Sequence, residues 1–308
     1  MMVFSDPERM PAHAPAGLAS ARVVSPRTLD EACRHIADAA AAKDAAILLA
    51  GGTDVIVDRH LLPVERAARV DVVVDLTAIE GFHGVARTGP PGDERLVLGG
   101  GVTYWDLRTH PTIIDAAPML GQMAKDVGAV QIQTRGTLAG NVASASPAAD
   151  GVAALMALEA TVHLRSAAGA RTVPLEGFFI GYRRTVLRPD EIISAIELRV
   201  PTPGARVAWR KVGTRSAQAI SKVALASALE IDAGVVQRAR FGMASVASTT
   251  HPLFAVRSYI EGRAVAQIDP AELDAALSRD VQPIDDVRST GEYRLHVARA
   301  LVRRAVLG

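Results

Sequence analysis

The segment Gln131–Asp150 (Q-I-Q-T-R-G-T-L-A-G-N-V-A-S-A-S-P-A-A-D) places the strongest limit on what this chain can become. It is long and built from glycine, alanine and small hydroxyl or amide residues, with charge only at Arg135 and Asp150. A core strand would carry larger apolar side chains. A flexible linker would not run so directly into an apolar helix as this one does at Val152–Leu158. Such a composition allows a ligand to approach the backbone closely. Gly136 and Gly140 lack a Cβ, so their N–H groups are predicted to face a polyanion at short range. Thr137, Asn141, Ser144 and Ser146 add short donors and acceptors. The segment reads as a cradle for the phosphates and sugar of a nucleotide cofactor.

The rest of the chain narrows the classes. At 308 residues it can bury a substantial core, with two or three domains as the expectation. A net charge of +1 gives no general attraction to nucleic acid or anionic membrane, and 4% aromatic residues leave little for base stacking. Cys33 is the single cysteine, which excludes an internal disulfide and a cysteine-ligated iron–sulfur cluster within this chain. No apolar run approaches the ~20 residues of a bilayer span. The N-terminus lacks a basic-then-apolar signal pattern, so a cytoplasmic location is expected.

Taken in order, residues 1–21 are Pro- and Ala-rich and read as a loose arm. Thr28–Glu31 has capping-box spacing, and Leu29–Ala40 repeats apolar residues at helical intervals, with Cys33 a small buried residue on that helix. Ala46–Ala50 is a short strand ending in the glycine turn Gly51–Asp54, without the residues of a P-loop. Val70–Leu76 and Leu96–Leu98 read as strands, the second running into Gly99–Gly101, a ligand loop or a site of backbone packing. Pro90–Gly92 marks a hairpin tip, and Thr103 caps a short helix. Ala116–Val127 and Val152–Glu159 read as helices, and Thr161–Val173 as a hairpin. Phe178–Thr185 is an aromatic and basic cluster: core packing with a solvated Arg pair, or Tyr182 over a flat ring. Ile192–Val200 is a strand. Pro201–Gly204 is the best linker. Beyond it come strands at Val207–Val212, Ser221–Ile231 and Val235–Val246, then helices at Leu253–Glu261, Pro270–Arg279 and Gly291–Val306. Asp285-Asp286 is placed to cap the last helix. The scattered histidines and the lack of Gly-x-Ser-x-Gly leave any chemistry to a bound cofactor.

Several motifs in one order resemble a known family. They are A-G-G-T-D at Ala50–Asp54, R-G-T-L-A-G-N at Arg135–Asn141, A-S-P-A-A-D at Ala145–Asp150 and F-F-I-G-Y-R-R-T at Phe178–Thr185. K-V-G-T-R at Lys211–Arg215 and E-Y-R at Glu292–Arg294 also fit. Together they resemble the FAD-binding medium subunit of molybdenum hydroxylases, the xanthine dehydrogenase and carbon monoxide dehydrogenase group. The resemblance implies an α+β chain. Its two-subdomain FAD-binding fold, of the vanillyl-alcohol oxidase (PCMH) type, would span residues 22–202, divided near residue 76. A C-terminal α+β domain with a small antiparallel sheet and helices would span residues 205–308.

The resemblance further implies that Leu48, Leu49, Ala50, Gly51, Gly52, Thr53 and Asp54 line the FAD pyrophosphate and adenosine. Thr137, Gly140, Asn141, Ser144 and Ser146 would hold the diphosphate and ribityl chain from the other side, and Asp150 would accept from a ribityl hydroxyl. Ile192, Ile193 and Lys211 would lie beside the isoalloxazine, with Tyr182 a further candidate. No residue is assigned as a catalytic acid or base, and no metal ligand is assigned. The implied function is an electron-transfer subunit, taking electrons from [2Fe-2S] clusters of a small partner and passing them through FAD to an external acceptor. The molybdenum cofactor would sit on a large partner, in a heterotrimer or a dimer of heterotrimers. Three departures bear on this. Gln133 and Thr134 stand where the family commonly has Arg and Asn, and the loop after Lys211 is Ser216–Ala219 rather than acidic. Val127 stands where eukaryotic members place an aromatic residue near the ring. The alternatives are a self-sufficient flavin oxidase or reductase of the same fold, and a flavin-free scaffold.

Overall fold

The computed structural model describes residues 18, 20–61, 69–215 and 218–308. Most of the N-terminal arm, and Ser216 and Ala217 of the loop after Lys211, lie outside them.

The chain opens with a three-stranded parallel sheet, order β1-β3-β2, from β1 (Arg22–Val24), β2 (Ala46–Leu49) and β3 (Val72–Asp75). Helix α1 (Leu29–Ala42) starts at the predicted capping box: Thr28 Oγ1 accepts from Glu31 N, and the Glu31 carboxylate accepts in return from Thr28 N. Its buried face, including Cys33 and Ile36, packs with Val72 and Val74. Helix α2 (Val55–Leu61) follows the first glycine turn directly.

A five-stranded antiparallel sheet comes next, order β4-β5-β10-β6-β7, from β4 (Val85–Thr88), β5 (Arg95–Gly99), β6 (Thr161–Ser166), β7 (Gly169–Pro174) and β10 (Ile192–Arg199). A small pair, β8 (Phe179–Gly181) and β9 (Arg184–Thr185), lies between the last two in sequence. Between β5 and β6 run six helices: α3 (Tyr104–Thr109), α4 (Pro111–Ala116), α5 (Pro118–Lys125), α6 (Val130–Gln133), α7 (Leu138–Ser144) and α8 (Asp150–Ala157). The helix predicted over Ala116–Val127 is shorter. Pro118 restricts Ala117, which adopts φ −146°, ψ 65°, so α5 restarts with the proline in its first turn.

The third sheet is an antiparallel meander of β11 (Arg206–Val212), β12 (Val223–Asp232) and β13 (Val235–Ala244), followed by α9 (Phe254–Ile260), α10 (Pro270–Asp280) and α11 (Gly291–Leu307). Its two faces differ as strand alternation requires. Val223, Leu225 and Leu229 pack under the three helices. Ala224, Ala226 and Ala244 face the other way and join the core of the preceding segment, with Trp209. They meet α8, all eight of whose residues are buried. The small side chains are needed: a Cβ on Gly242 would lie 2.0 Å from the Ala153 carbonyl oxygen.

Other expectations shift by a residue or two. Strand β12 begins at Val223 rather than Ser221, whose hydroxyl is engaged elsewhere, and β13 stops at Ala244 because Ser245 takes φ +66°. Asp285 accepts from Gly291 N at the start of α11, but the capping side chain is Thr290. Asp286 binds Arg288 and Arg294 instead of capping. In the aromatic cluster, Phe178 is buried edge-on to Phe179, as the packing alternative holds, while Tyr182 is 64% exposed.

Candidate functional site: a cleft between two glycine turns

The two glycine turns meet. Each follows a strand or short helix that aims it at the other: Gly51–Asp54 leaves β2, and Gly136–Thr137 leaves α6. A Cβ on Gly51 would lie 1.9 Å from the Arg135 carbonyl oxygen, so only glycine permits this approach. Ser144 Oγ, at the end of α7, donates to Asp54 Oδ2 at 2.6 Å across ninety residues of chain. Backbone bonds bring in the third turn as well. Tyr104 N donates to Gly136 O at 3.0 Å, and Leu138 N to Val102 O at 3.0 Å.

Between these turns runs a cleft of about 330 Å³. Of the residues expected to hold a cofactor, Leu48, Ala50, Gly51, Gly52, Thr53 and Asp54 line one side of it. Thr137, Gly140, Asn141 and Ser144 line another, with Ile192 and Ile193. Leu49 points away and packs beneath Gly52. The cleft continues, past Asp54, Tyr104, Val127, Asn141 and Ser144, into a wider space of about 1240 Å³. Ser146, Asp150, Tyr182 and Lys211 line that part.

The hydrogen bonding corrects one sequence expectation. Gly136 N donates to Ile132 O and Gly140 N to Thr137 Oγ1, so these two amides are not free to meet an anion. The unspent amides lie in the first turn. Those of Gly51, Gly52 and Thr53 have no acceptor among the described residues. The triple-glycine turn serves chiefly for packing: a Cβ on Gly100 would lie 2.3 Å from Ile193 O and 2.5 Å from the Phe82 ring.

Deeper in the wide part, Asp150 is fully engaged. Lys211 Nζ donates to its Oδ2 at 2.6 Å and Ser221 Oγ to its Oδ1 at 2.5 Å, while Lys211 also donates to Asp126 O at 2.8 Å. Burial pushes the Asp150 carboxyl above the ordinary carboxylate range, and Lys211 and Ser221 oppose that shift. Lys211 and Ser221 come from the C-terminal meander, so this ion pair joins the two halves of the chain at the cleft wall.

Sequence reasoning passed over Tyr104, Phe82, Leu187 and Glu191, all of which line the cleft. For Tyr104 a signal existed: an aromatic residue at the first helical position, directly after a strand, a glycine turn and a cap. Glu191, in the loop before β10, is held by Arg171 of β7 through Oε1 at 2.6 Å and Oε2 at 2.7 Å, and no local pattern joins residues twenty apart.

The residues fit a flavin dinucleotide in two respects. The closest approach is made by bare glycine backbone carrying unspent N–H donors, as a diphosphate requires. The buried Asn141 Oδ1, at the junction of the two parts of the cleft, has no hydrogen-bond partner. The comparisons with known proteins agree. Residues 19–203 match the family model described as the FAD binding domain in molybdopterin dehydrogenase, and residues 208–308 match that of the CO dehydrogenase flavoprotein C-terminal domain. The chain is 29% identical over 268 residues to the carbon monoxide dehydrogenase medium chain of Hydrogenophaga pseudoflava, covering 84% of this chain and 87% of that one. It is 27% identical over 287 residues to the xanthine dehydrogenase FAD-binding subunit of Escherichia coli O157:H7, covering 91% and 92%. A solved carbon monoxide dehydrogenase from Hydrogenophaga pseudoflava, which lacks the Mo-pyranopterin moiety, superposes with a TM-score of 0.84 at 25% identity, covering 92% of this chain and 95% of that one. The fold is of the expected α+β class. The chain thus belongs to the family of FAD-binding domains in molybdopterin dehydrogenases, as an FAD-binding subunit of an oxidoreductase of the molybdenum hydroxylase type.

Proposed function

We propose that this chain is the electron-transfer subunit of a heteromeric molybdenum hydroxylase, taking electrons from [2Fe-2S] clusters of a small partner and passing them through FAD to an external acceptor. The single observation that carries the reading is the convergence of the two glycine turns, with Gly51 against the Arg135 carbonyl and Ser144 bonded to Asp54. FAD would supply the one- and two-electron redox chemistry.

The chain's own residues bind and orient. Amides of Gly51–Thr53 are suited to the diphosphate, with Thr137 and Ser144 opposite. Several charge-assisted bonds at ~1.5–3 kcal/mol each would retain the cofactor without a cationic side chain at the turn. Ile192, Ile193 and Val127 offer apolar walls to a flat ring. Lys211, fixed by Asp150, would present a positive charge at a defined place beside it, with Ser146 nearby and Tyr182 at the rim. The molybdenum cofactor belongs to a large partner, and a heterotrimer is the smallest complete unit. One cysteine cannot supply the four thiolates of an iron–sulfur cluster, which supports placing the clusters on another chain.

The test is twofold. Heat-denatured protein should release FAD, not FMN, in about equimolar amount; colourless folded protein that takes up no FAD would end the reading. Untagged co-purification should yield molybdenum and iron with two further chains.

A further inference from the structure

The wide part of the cleft, about 1240 Å³, is larger than the ~300–1,000 Å³ that holds one drug-sized ligand. Part of its wall comes from the C-terminal segment: the loop Ala247–Thr249 after β13, and Arg279 in the last turn of α10. Neither borders the narrow part between the glycine turns. The loop is held firmly at its base. Met243 and His251 exchange backbone bonds at 2.8 and 2.9 Å, Ser245 N donates to Pro147 O, and Gln282 N donates to Val246 O. Arg294 Nη1 donates to Ser245 O at 2.9 Å. All of these ties lie on the flanks, outside residues 247–249.

The three residues between are unspent. The amides of Ala247, Ser248 and Thr249, and the hydroxyls of Ser248 and Thr249, have no hydrogen-bond partner among the described residues. Arg279 is likewise unpaired among them. The other cations of the wall have carboxylates: Lys211 faces Asp150, Arg183 faces Asp58, and Arg288 and Arg294 share Asp286. The carboxylate next to Arg279 in sequence is engaged elsewhere. Asp280 accepts from Ala255 N and Val256 N at 2.9 Å each and faces His251 Nε2 at 3.6 Å. Asp54 also borders the wide part, but at its junction with the narrow part, where it takes Ser144. What the C-terminal wall offers is therefore bare amides, two hydroxyls and one positive charge, on a loop already fixed in place. That is the composition of a phosphate site.

We propose that the loop 247–249 and Arg279 form a second anion site, separate from the first glycine turn, and that it holds a phosphate group of the external electron acceptor. This rests on the flavin reading above. That reading commits the amides of Gly51–Thr53 to the flavin diphosphate, so a phosphate at the C-terminal wall belongs to a different molecule. Both sites open into one continuous cleft, and the second lies in the part that also holds Lys211, where the flavin ring is placed. A molecule seated there shares its space with the ring. The site assigns the acceptor to the phosphate-bearing, water-soluble class and against quinones, which carry no charge for the guanidinium to meet. The loop and Arg279 only bind; they move no proton and no electron.

The test uses the full chain loaded with FAD, and inorganic pyrophosphate as the probe. Calorimetry should detect pyrophosphate binding without release of FAD. Arg279→Gln should weaken that binding about tenfold, as expected for the loss of one charge-assisted contact, and Arg279→Lys should recover part of it. Arg279 is exposed, so both variants should keep the FAD content and melting temperature of the parent. After anaerobic reduction of the flavin, reoxidation is followed with NAD+, with NADP+ and with a short-chain ubiquinone analogue. A nicotinamide dinucleotide should reoxidise the parent. Arg279→Gln should raise its half-saturating concentration about tenfold and leave the rate with the quinone analogue unchanged. No pyrophosphate binding by the parent, equal binding by parent and Arg279→Gln, or displacement of FAD by pyrophosphate would each overturn the second site while leaving the flavin reading intact. Reoxidation by the quinone analogue and by neither dinucleotide would overturn the assignment to the acceptor. Failure of the parent to hold FAD would overturn the flavin reading and this inference with it.

Discussion

Gly51 and Gly52 are adjacent glycines with unlike reasons to be glycine, and substituting each separates the two. Gly52 has φ +73°, and a Cβ there would meet only Leu49 Cδ1 at 3.3 Å and Ile56 Cγ1 at 3.4 Å. Gly52→Ala should therefore cost ~1–2 kcal/mol of left-handed strain. At Gly51 the added carbon would fall 1.9 Å from a carbonyl oxygen, so the turns must part. Gly51→Ala is expected to cost more, roughly 3 kcal/mol, the upper range for overpacking, and to lose FAD as the cradle opens. Denaturant unfolding and FAD content measure the two effects separately. Equal loss at both positions would mean that backbone conformation, not the approach of the second turn, sets the requirement.

Among elements, the loop that enters β10 depends on one ion pair. Glu191 is 4% exposed and accepts from the Arg171 guanidinium on β7 and from Arg188 N at 2.8 Å. The Arg171 guanidinium is the main reason its carboxyl lies below the ordinary value of 4.5. A depressed folded value means the unfolded chain binds the proton first. The stabilisation is therefore complete above about 4.5 and is lost as pH falls through the folded value. Glu191→Gln should melt lower than the parent at pH 7, and the gap should close in acid. Melting curves from pH 7 to 3 check this; a gap constant with pH would assign the loss to packing. The same region shows what a sequence can disclose. Helix α1, the hairpin of β6 and β7 and the meander are local patterns of caps, turns and alternation, and each was legible. The glycine turns were legible as turns, but which amides remain free was not. That depends on Ile132 O and Thr137 Oγ1 taking the amides of Gly136 and Gly140. The Ser221–Asp150 bond was hidden for the same reason. Ser221 and Asp150 are 71 residues apart, and no periodicity links them.

For the whole molecule, Pro201–Gly204 looks like a joint between independent units, yet one of the core clusters spans it. Ala224, Ala226, Ala244 and Trp209 share one cluster with α8, and Trp209 Nε1 donates to Asp126 Oδ2 at 2.8 Å. More telling is Asp150, which is buried in the N-terminal segment and, among the described residues, is paired only from beyond the linker, by the Lys211 ammonium and a hydrogen bond from Ser221. Residues 1–203 alone would keep the glycine turns but leave this carboxylate without its cation. An uncompensated buried charge costs ~3–5 kcal/mol, a large part of the ~5–15 kcal/mol that holds a domain together. The uncovered face of α8 adds exposed apolar surface to that cost. The truncated chain is therefore expected to lack a cooperative melt and to bind FAD poorly. Asp150→Asn in the same truncation, which removes the stranded charge, should recover part of the melt. In the full chain, Asp150→Asn should instead destabilise, because it leaves Lys211 buried without its counter-charge. That reversal of sign is the measurement that matters: if Asp150→Asn acts in the same direction in both lengths of chain, the ion pair is not what joins the two halves.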